Sequence, residues 1–293
     1  TADDHCRRLE SWLQRLLPAA LPGYCRKLIK SGACTLNGTK SSPDTLLSAG
    51  DIVGLKESGQ VLAQLNRPLP PLDLLWQDDR LLAINKPAGL AMHPAAEVDQ
   101  NLADIASVWL EKKCNHPVRG YPVNRLDRGT SGVVLLATSS SNAGILGRQV
   151  KEEGLDKIYL TVVEGMLEGD GEINQPLEGK ESISRYRCLS VGESCSLLLV
   201  EPVTGRTHQI RRHLSAIGHP VLGDTRYDAQ PLPTLPGIAL HSFRTRLQHP
   251  TPETQLTLCA PLPVALRQLI IARCGIDAKE FLKLLIKLVI NPL

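Results

Sequence analysis

Residues 121–137 read YPVNRLDRGTSGVVLLA and set a charged turn directly against an apolar, β-prone run. Asp127 stands between Arg125 and Arg128, a Gly-Thr-Ser-Gly turn follows at once, and Val133 to Ala137 then reads as a buried strand. Any fold for this chain has to hold that charged turn at the mouth of a core strand. Opposite charges nearby favour the ionised carboxylate. Such a carboxylate can act as a nucleophile or a base, but not as an acid. Arginine beside it also suits phosphate. An isolated R-x-D-R is more often a loop salt bridge than a site, so the rest of the chain has to decide.

The 293 residues leave room for roughly two domains and a sizeable core. With 33 Lys+Arg against 30 Asp+Glu, the net charge of +3 is too small to identify a nucleic-acid partner by itself. Aromatic residues make up only 3%, which argues against a binding surface of many stacked rings. The eight cysteines include no C-x-x-C pair and no zinc-type spacing. They read as reduced thiols, which suits a cytoplasmic protein. No apolar run is long enough to span a bilayer, and no secretory leader is visible.

Leu9, Leu13, Leu16 and Leu17 share one face of a helix expected over 7–17, which Pro18, Pro22 and Gly23 break. A second helix is expected over 24–31, with Arg26, Lys27 and Lys30 exposed and Gly32 ending it. A strand over 33–36, an Asn37-Gly38 hairpin turn and a strand over 52–55 complete a small unit. Its basic helix face is either a solvated surface or an RNA contact, and pattern alone does not separate the two. RRLESWLQRLL, YCRKLIKSGACTLNGTK and AGDIV, in that order, resemble the small α-L RNA-binding module, the S-four domain, over residues 5–58. Glu10 and Tyr24 depart from that family, which often has Asp and a small hydroxyl residue there. The resemblance implies RNA contacts by Arg26, Lys27 and Lys30. Residues 59–70 read as a linker, polar and then proline-rich. Residues 276–293 read as a C-terminal helix packed on the body or on a partner.

Between them, residues 71–275 form the second expected domain. Strands are expected over 81–85, 133–137, 157–165, 184–189, 196–201, 241–247 and 255–259, with helices over 102–112, 142–152, 208–217 and 263–274. Tyr159, Thr161 and Val163 share one face of their strand. The segment from Thr204 to Tyr227 is locally basic, with Arg206, Arg211, Arg212 and Arg226 offset by Asp224 alone. His208, His213 and His219 lack metal-type spacing and read as structural. There is no Walker-type phosphate loop, no nucleophile elbow and no second carboxylate that stands out as a proton donor.

Four segments, NKPAGLAMHP, NRLDRGTSG, KIYLTVVEG and TGRTHQIRRHLSAIGHPVLGDTRY, occur in an order that resembles the RluA-type RNA pseudouridine synthases. The resemblance covers about residues 71–275. It implies an α+β catalytic domain with a mixed, largely antiparallel sheet and peripheral helices. It also implies the reaction: uracil is detached from C1′ at N1, turned, and rejoined through C5, with no cofactor and no metal. Asp127 would attack the ribosyl or base centre, or assist glycal formation. Arg211 would pair with Asp127 and keep it charged. Tyr159 would stack on the uracil and take the C5 proton, directly or through water. Arg125 would fill the gap left by the flipped uridine. Arg206 and Arg128 would hold phosphate or buttress the loop. The implied substrate is large-subunit ribosomal RNA, with a structured tRNA second, and the protein is expected to act as a monomer without a membrane or a small-molecule cofactor. Two departures stand out: Asn124 where the family usually has His, and Asp228 where glycine is usual. The rival is a non-catalytic RNA-binding or ribosome-assembly factor on the same fold. The joint presence of Asp127, Tyr159 and Arg211 speaks against it.

Overall fold

Leu9 and Leu13 recur at helical spacing and are fully buried, so the first helix, α1 (Leu9–Leu16), turns them into a small core. The computed structural model describes residues 4–17, 20, 22–66, 71–93, 101–114, 118–152, 154–251 and 254–290. Pro18 and the proline-rich end of the expected linker, 67–70, lie outside them. The chain divides into two compact units, 1–72 with 90–121, and 73–89 with 122–293.

In the first unit, α2 (Pro22–Ser31) adds Cys25, Leu28 and Ile29 to the core of α1. The strands β1 (Cys34–Leu36), β2 (Thr39–Lys40) and β3 (Val53–Leu55) form an antiparallel sheet with β1 in the middle. Asn37 and Gly38 both take positive φ, as the expected two-residue turn requires. The Asn37 side chain accepts from the Ile52 N–H at 2.9 Å and donates to Asp51 at 2.8 Å, tying the turn to the approach to β3. Arg26, Lys27 and Lys30 are exposed, with Arg26 paired to Glu10 at 2.8 Å. Much of the expected linker is instead a helix, α3 (Gly59–Asn66), because Val61 finds a place in the same core. The helix α4 (Leu102–Cys114), expected in the second domain, groups with the first unit, where Glu111 pairs with Arg15.

The second unit is organised by one sheet. Its strands are β4 (Leu74–Gln77), β5 (Leu81–Lys86), β7 (Ser131–Ala137), β8 (Asp156–Glu164), β9 (Asp170–Asn174), β10 (Ile183–Val191), β11 (Cys195–Pro202), β12 (Leu240–Gln248) and β13 (Gln255–Cys259). The short β6 (Tyr121–Pro122) marks the passage from the first unit to the second. The helices are α5 (Ser140–Glu152), α6 (Gln209–Ala216), α7 (Val264–Arg273) and α8 (Ala278–Ile290). The hydrogen-bonded order is β4-β5-β7-β12-β8-β11-β10-β9, with β13 added to β12. Pairings in this set are antiparallel except that of β7 with β12, so the sheet is mixed and largely antiparallel. The edge strand β9 was not foreseen, because DGEIN turns only Ile173 inward. All seven residues of β7 are buried, which accounts for the unbroken apolar run from Val133 to Ala137.

The sheet forks at Phe243. His241 and Ser242 pair with Ser131 and Gly132 of β7, whereas Arg244 to Gln248 pair with β13. The register with β8 shifts at the same place. The join is tight: Gly132, at φ 115°, lies so close to Ser242 that a Cβ would collide with the Ser242 carbonyl. The last glycine of the Gly-Thr-Ser-Gly turn therefore has a steric purpose. On the far side of the sheet, Leu288 of α8 packs with Ile158, Leu160 and Phe243, while Leu282 and Ile286 of α8 stay exposed. Among the described residues, no helix is long and apolar enough to cross a membrane.

His241 lies fully buried beneath the join, with Nδ1 2.8 Å from the Ser131 hydroxyl and Nε2 3.1 Å from the Ala260 carbonyl. Burial pushes its imidazole down to about 4, although the bond to Ala260 opposes the shift. The unfolded value is about 6.5. The unfolded chain thus binds the proton more readily, and the contribution of His241 is complete above about 6.5 and lost as pH falls through about 4. The window corresponds to about 3 kcal/mol. Urea midpoints measured from about pH 7 down to about pH 4 should fall in the natural protein and fall less steeply in His241→Gln.

Candidate active site

The turn ahead of β7 carries Asp127. Leu126 is buried and anchors it, and the Thr130 N–H donates to the Asp127 carbonyl at 3.1 Å. These contacts leave the carboxylate partly exposed, at 19%.

The arginine that meets it comes from the start of α6. His208 precedes the helix in the left-handed conformation, at φ 55°. Gln209 locks this turn: its Oε1 accepts from the Thr204 hydroxyl at 2.7 Å and the Arg206 N–H at 3.0 Å, and its Nε2 donates to the Ile183 carbonyl at 2.9 Å. Arg211 then points inward, with 8% of its surface exposed. Its Nη1 donates to Asp127 Oδ2 at 2.9 Å. Its Nε and Nη2 donate to the two oxygens of Asp224 at 2.6 and 2.8 Å. Tyr227 lies against the guanidinium, 4.9 Å from ring centre to Cζ. Burial disfavours the charge on Arg211, but the bonds to Asp224 and Asp127 outweigh it and hold the guanidinium protonated.

Two further groups face Asp127. His208 Nε2 is 3.5 Å from Asp127 Oδ1, and its Nδ1 is 2.7 Å from the Tyr227 hydroxyl. Burial lowers the His208 pKa; Asp127 opposes this, and Arg211 and Arg226 add to it. Lys86 is fully buried beneath the turn, and its Nζ donates to the carbonyls of Pro87 at 3.0 Å and Arg128 at 3.4 Å. Burial pulls Lys86 down to about 8, with Asp127 opposing. Tyr159 lies on β8 opposite Ser242 and is 7% exposed. Burial pushes its phenol up to about 12, with Ser242 opposing and Asp127 adding to the shift, so the hydroxyl is protonated at neutral pH.

Asp127 and Arg211 therefore meet directly, and Tyr159 lies on the same sheet within the field of Asp127. Arg125 is exposed and has no hydrogen bond or ion pair among the described residues. Arg128 donates to the Gly89 carbonyl at 3.0 Å and buttresses the loop. Arg206 donates to the Glu181 carbonyl at 3.0 Å. Arg26, Lys27 and Lys30 belong to the first unit. His213 and His219 are bound to Ser184 and to the Glu164 carbonyl, as structural histidines would be. Three residues of the site were not singled out from the sequence: Asp224, visible there only as an offset to local charge, Lys86, visible only as part of a shaped loop, and His208, read as structural.

Asn124 is placed by backbone contacts. Past the fork β12 has left β7, and the Asn124 amide fills the ladder. Its Nδ2 donates to the Val133 carbonyl at 3.2 Å, and its Oδ1 accepts from the Leu135 N–H at 2.8 Å. The side chain thus pins the turn that carries Arg125 and Asp127.

The family described as RNA pseudouridylate synthase matches residues 80–216. The chain is similar to the ribosomal large subunit pseudouridine synthase C of Yersinia pestis, 30% identical over 93% of each chain. It is similar to the ribosomal large subunit pseudouridine synthase D of Xylella fastidiosa, 30% identical over 91% of this chain and 88% of that one. It is also similar to the tRNA pseudouridine synthase C of Pasteurella multocida, 35% identical over 64% of this chain and 90% of that one. Among solved structures, human RNA pseudouridylate synthase domain containing 1 shares the fold, with a TM-score of 0.58 and 24% identity over 77% of this chain and 98% of that one. The chain belongs to the RluA-type family of RNA pseudouridine synthases, and it is an isomerase that acts on RNA.

Asn124→Asp keeps the acceptor for Leu135 but loses the donor and sets a carboxylate against the Val133 carbonyl. Asn124→His cannot make both bonds from one edge of its ring. The aspartate variant is expected to lose turnover by more than about tenfold, and the histidine variant by less, about 1.4 kcal/mol being the dividing line. Single-turnover rates on one RNA, read beside thermal melts, check the order.

Proposed function

We propose that Asp127, Tyr159 and Arg211 carry the isomerisation, and that large-subunit ribosomal RNA is the substrate, with a structured tRNA second. The observation that carries the first part is the ion pair of Asp127 with Arg211, itself fixed by Asp224. It leaves a carboxylate held in one orientation, part of it open to a ligand. In this reading Asp127 attacks the ribosyl or base centre, or assists glycal formation. Arg211 balances its charge throughout. A buried, protonated Tyr159 suits stacking on the base. Removing its own proton first would cost several kcal/mol at neutral pH, which favours passage of the C5 proton through water over direct transfer to the phenol. Arg125, exposed and uncommitted, is suited to occupy the gap left by the flipped uridine.

The choice of RNA is supported by coverage. The relatives named for the large ribosomal subunit match over 93% and 91% of this chain, and the tRNA relative over 64%. The first unit, with Arg26, Lys27 and Lys30 exposed on α2, is assigned to RNA binding as an S-four module, and the protein is taken to work as a monomer in the cytoplasm. The rival, a non-catalytic RNA-binding or ribosome-assembly factor, has no use for an open carboxylate fixed by a bridging arginine.

Asp127→Asn retains the shape and removes the charge. It should abolish isomerisation with RNA binding largely kept, and substantial turnover by a clean preparation would sink the assignment. Mapping pseudouridines in total RNA from cells with and without the protein identifies the substrate. Replacing Arg26, Lys27 and Lys30 together by Gln should weaken RNA affinity and make its salt dependence shallower by about two to three contacts. An unchanged salt slope would give the first unit another role.

A further inference from the structure

Lys157 precedes Tyr159 by two residues on β8, so both stand on the same face of the sheet, about 6.7 Å apart along the strand. Lys157 is half-buried, and among the described residues it has no hydrogen bond or ion pair. Burial lowers its pKa, with no carboxylate opposing the shift. The neighbouring Asp156 is committed elsewhere, 3.9 Å from Arg244 and 3.8 Å from Arg246. Directly across from Lys157 stands Thr245 of β12. Thr245 is fully buried, and its hydroxyl has no partner among the described residues. On the other side of Tyr159 the pattern differs: Thr161 is satisfied by donating to the Ala239 carbonyl at 2.8 Å.

A partly desolvated ammonium and an unpartnered hydroxyl on adjacent strands are costly unless something completes them. Both can donate hydrogen bonds, and one is positive, so the complement is an anion with oxygen acceptors. The sugar of one nucleotide bridges the step from a base at Tyr159 to a phosphate at Lys157. We propose that Lys157 and Thr245 form a phosphodiester subsite that grips the RNA strand next to the reacting uridine. This rests on the reading that the base lies on Tyr159.

The test pairs the lysine with the phosphate. A short RNA spanning the mapped target is prepared with its natural backbone and with one uncharged methylphosphonate beside the target uridine, on either side in turn. Lys157→Gln should bind the natural RNA about tenfold more weakly, with a salt slope shallower by about one. Thr245→Val should weaken binding less, and Lys157→Arg should restore affinity and slope. At one of the two linkages the natural protein should lose affinity for the neutral backbone, whereas Lys157→Gln should lose little more. Wild-type affinity and slope in Lys157→Gln, or equal losses for both proteins at both linkages, overturns the subsite. Asp127→Asn on the same RNA separates the two readings. If it is inactive while Lys157→Gln binds normally, only the subsite falls. If it turns over, the active-site reading beneath it falls as well.

Discussion

Arg211 stands between two carboxylates, and the site depends on that arrangement. Asp224 is 2% exposed and takes Nε and Nη2, which fixes the plane of the guanidinium and leaves Nη1 for Asp127. Neither Asp224 nor Arg211 would be tolerated as a lone charge at this depth. A lysine could not substitute, because a point charge cannot hold one carboxylate with two parallel bonds while aiming a third at another. Tyr227 closes the open face of the guanidinium and reaches His208 with its hydroxyl. The segment after α6 thus supplies no group to Asp127 itself, yet it determines where the arginine points.

The fork explains why the site lies where it does. A continuous sheet would bury the end of β7 in its own hydrogen bonds. Here β12 departs after two residues: Ser131 with His241, and Ser242 against Tyr159, lie where the strands still meet, and beyond them Val123 and Asn124 take up the freed edge of β7. Gly132 allows the strands to touch just before they part. The charged turn seen at the outset can therefore rest on fully buried strands without strain at its base.

Much of this was legible in the sequence. Val133 to Ala137 could only be a core strand, Asn37-Gly38 could only be a tight turn, and strand alternation put Tyr159 on one face with Thr161. The pairing of Arg211 with Asp127 came from the family resemblance and is present in the geometry. What stayed hidden was partner choice over long range. Nothing local distinguishes Asp224 from any surface aspartate, or shows that Lys86 will be enclosed. His208 has no metal-type spacing to mark it, and its acidic neighbour Asp127 lies 81 residues back in the chain, 3.5 Å away. The helix over 59–66 is hidden in the sequence by the polar Glu57-Ser58 start and the proline-rich run after it, and a single buried valine, Val61, suffices to dock it. Asn124 stands out in the sequence only as a departure from the family pattern, and its side chain bonds the edge of β7 that β12 leaves.

The separation of these partners along the chain has a consequence for synthesis. Strands β1 to β3 of the first unit pair within residues 34–55. Arg211 follows Asp127 by 84 residues, and His241 follows Ser131 by 110. A chain made from its N-terminus at roughly 5–20 residues per second exposes the Asp127 turn for several seconds before Arg211 exists. Contacts of such range are also slow to close. The small first unit can be complete while the turn is still an unpaired, solvated loop, and the chemistry of the protein waits on residues made long after Asp127.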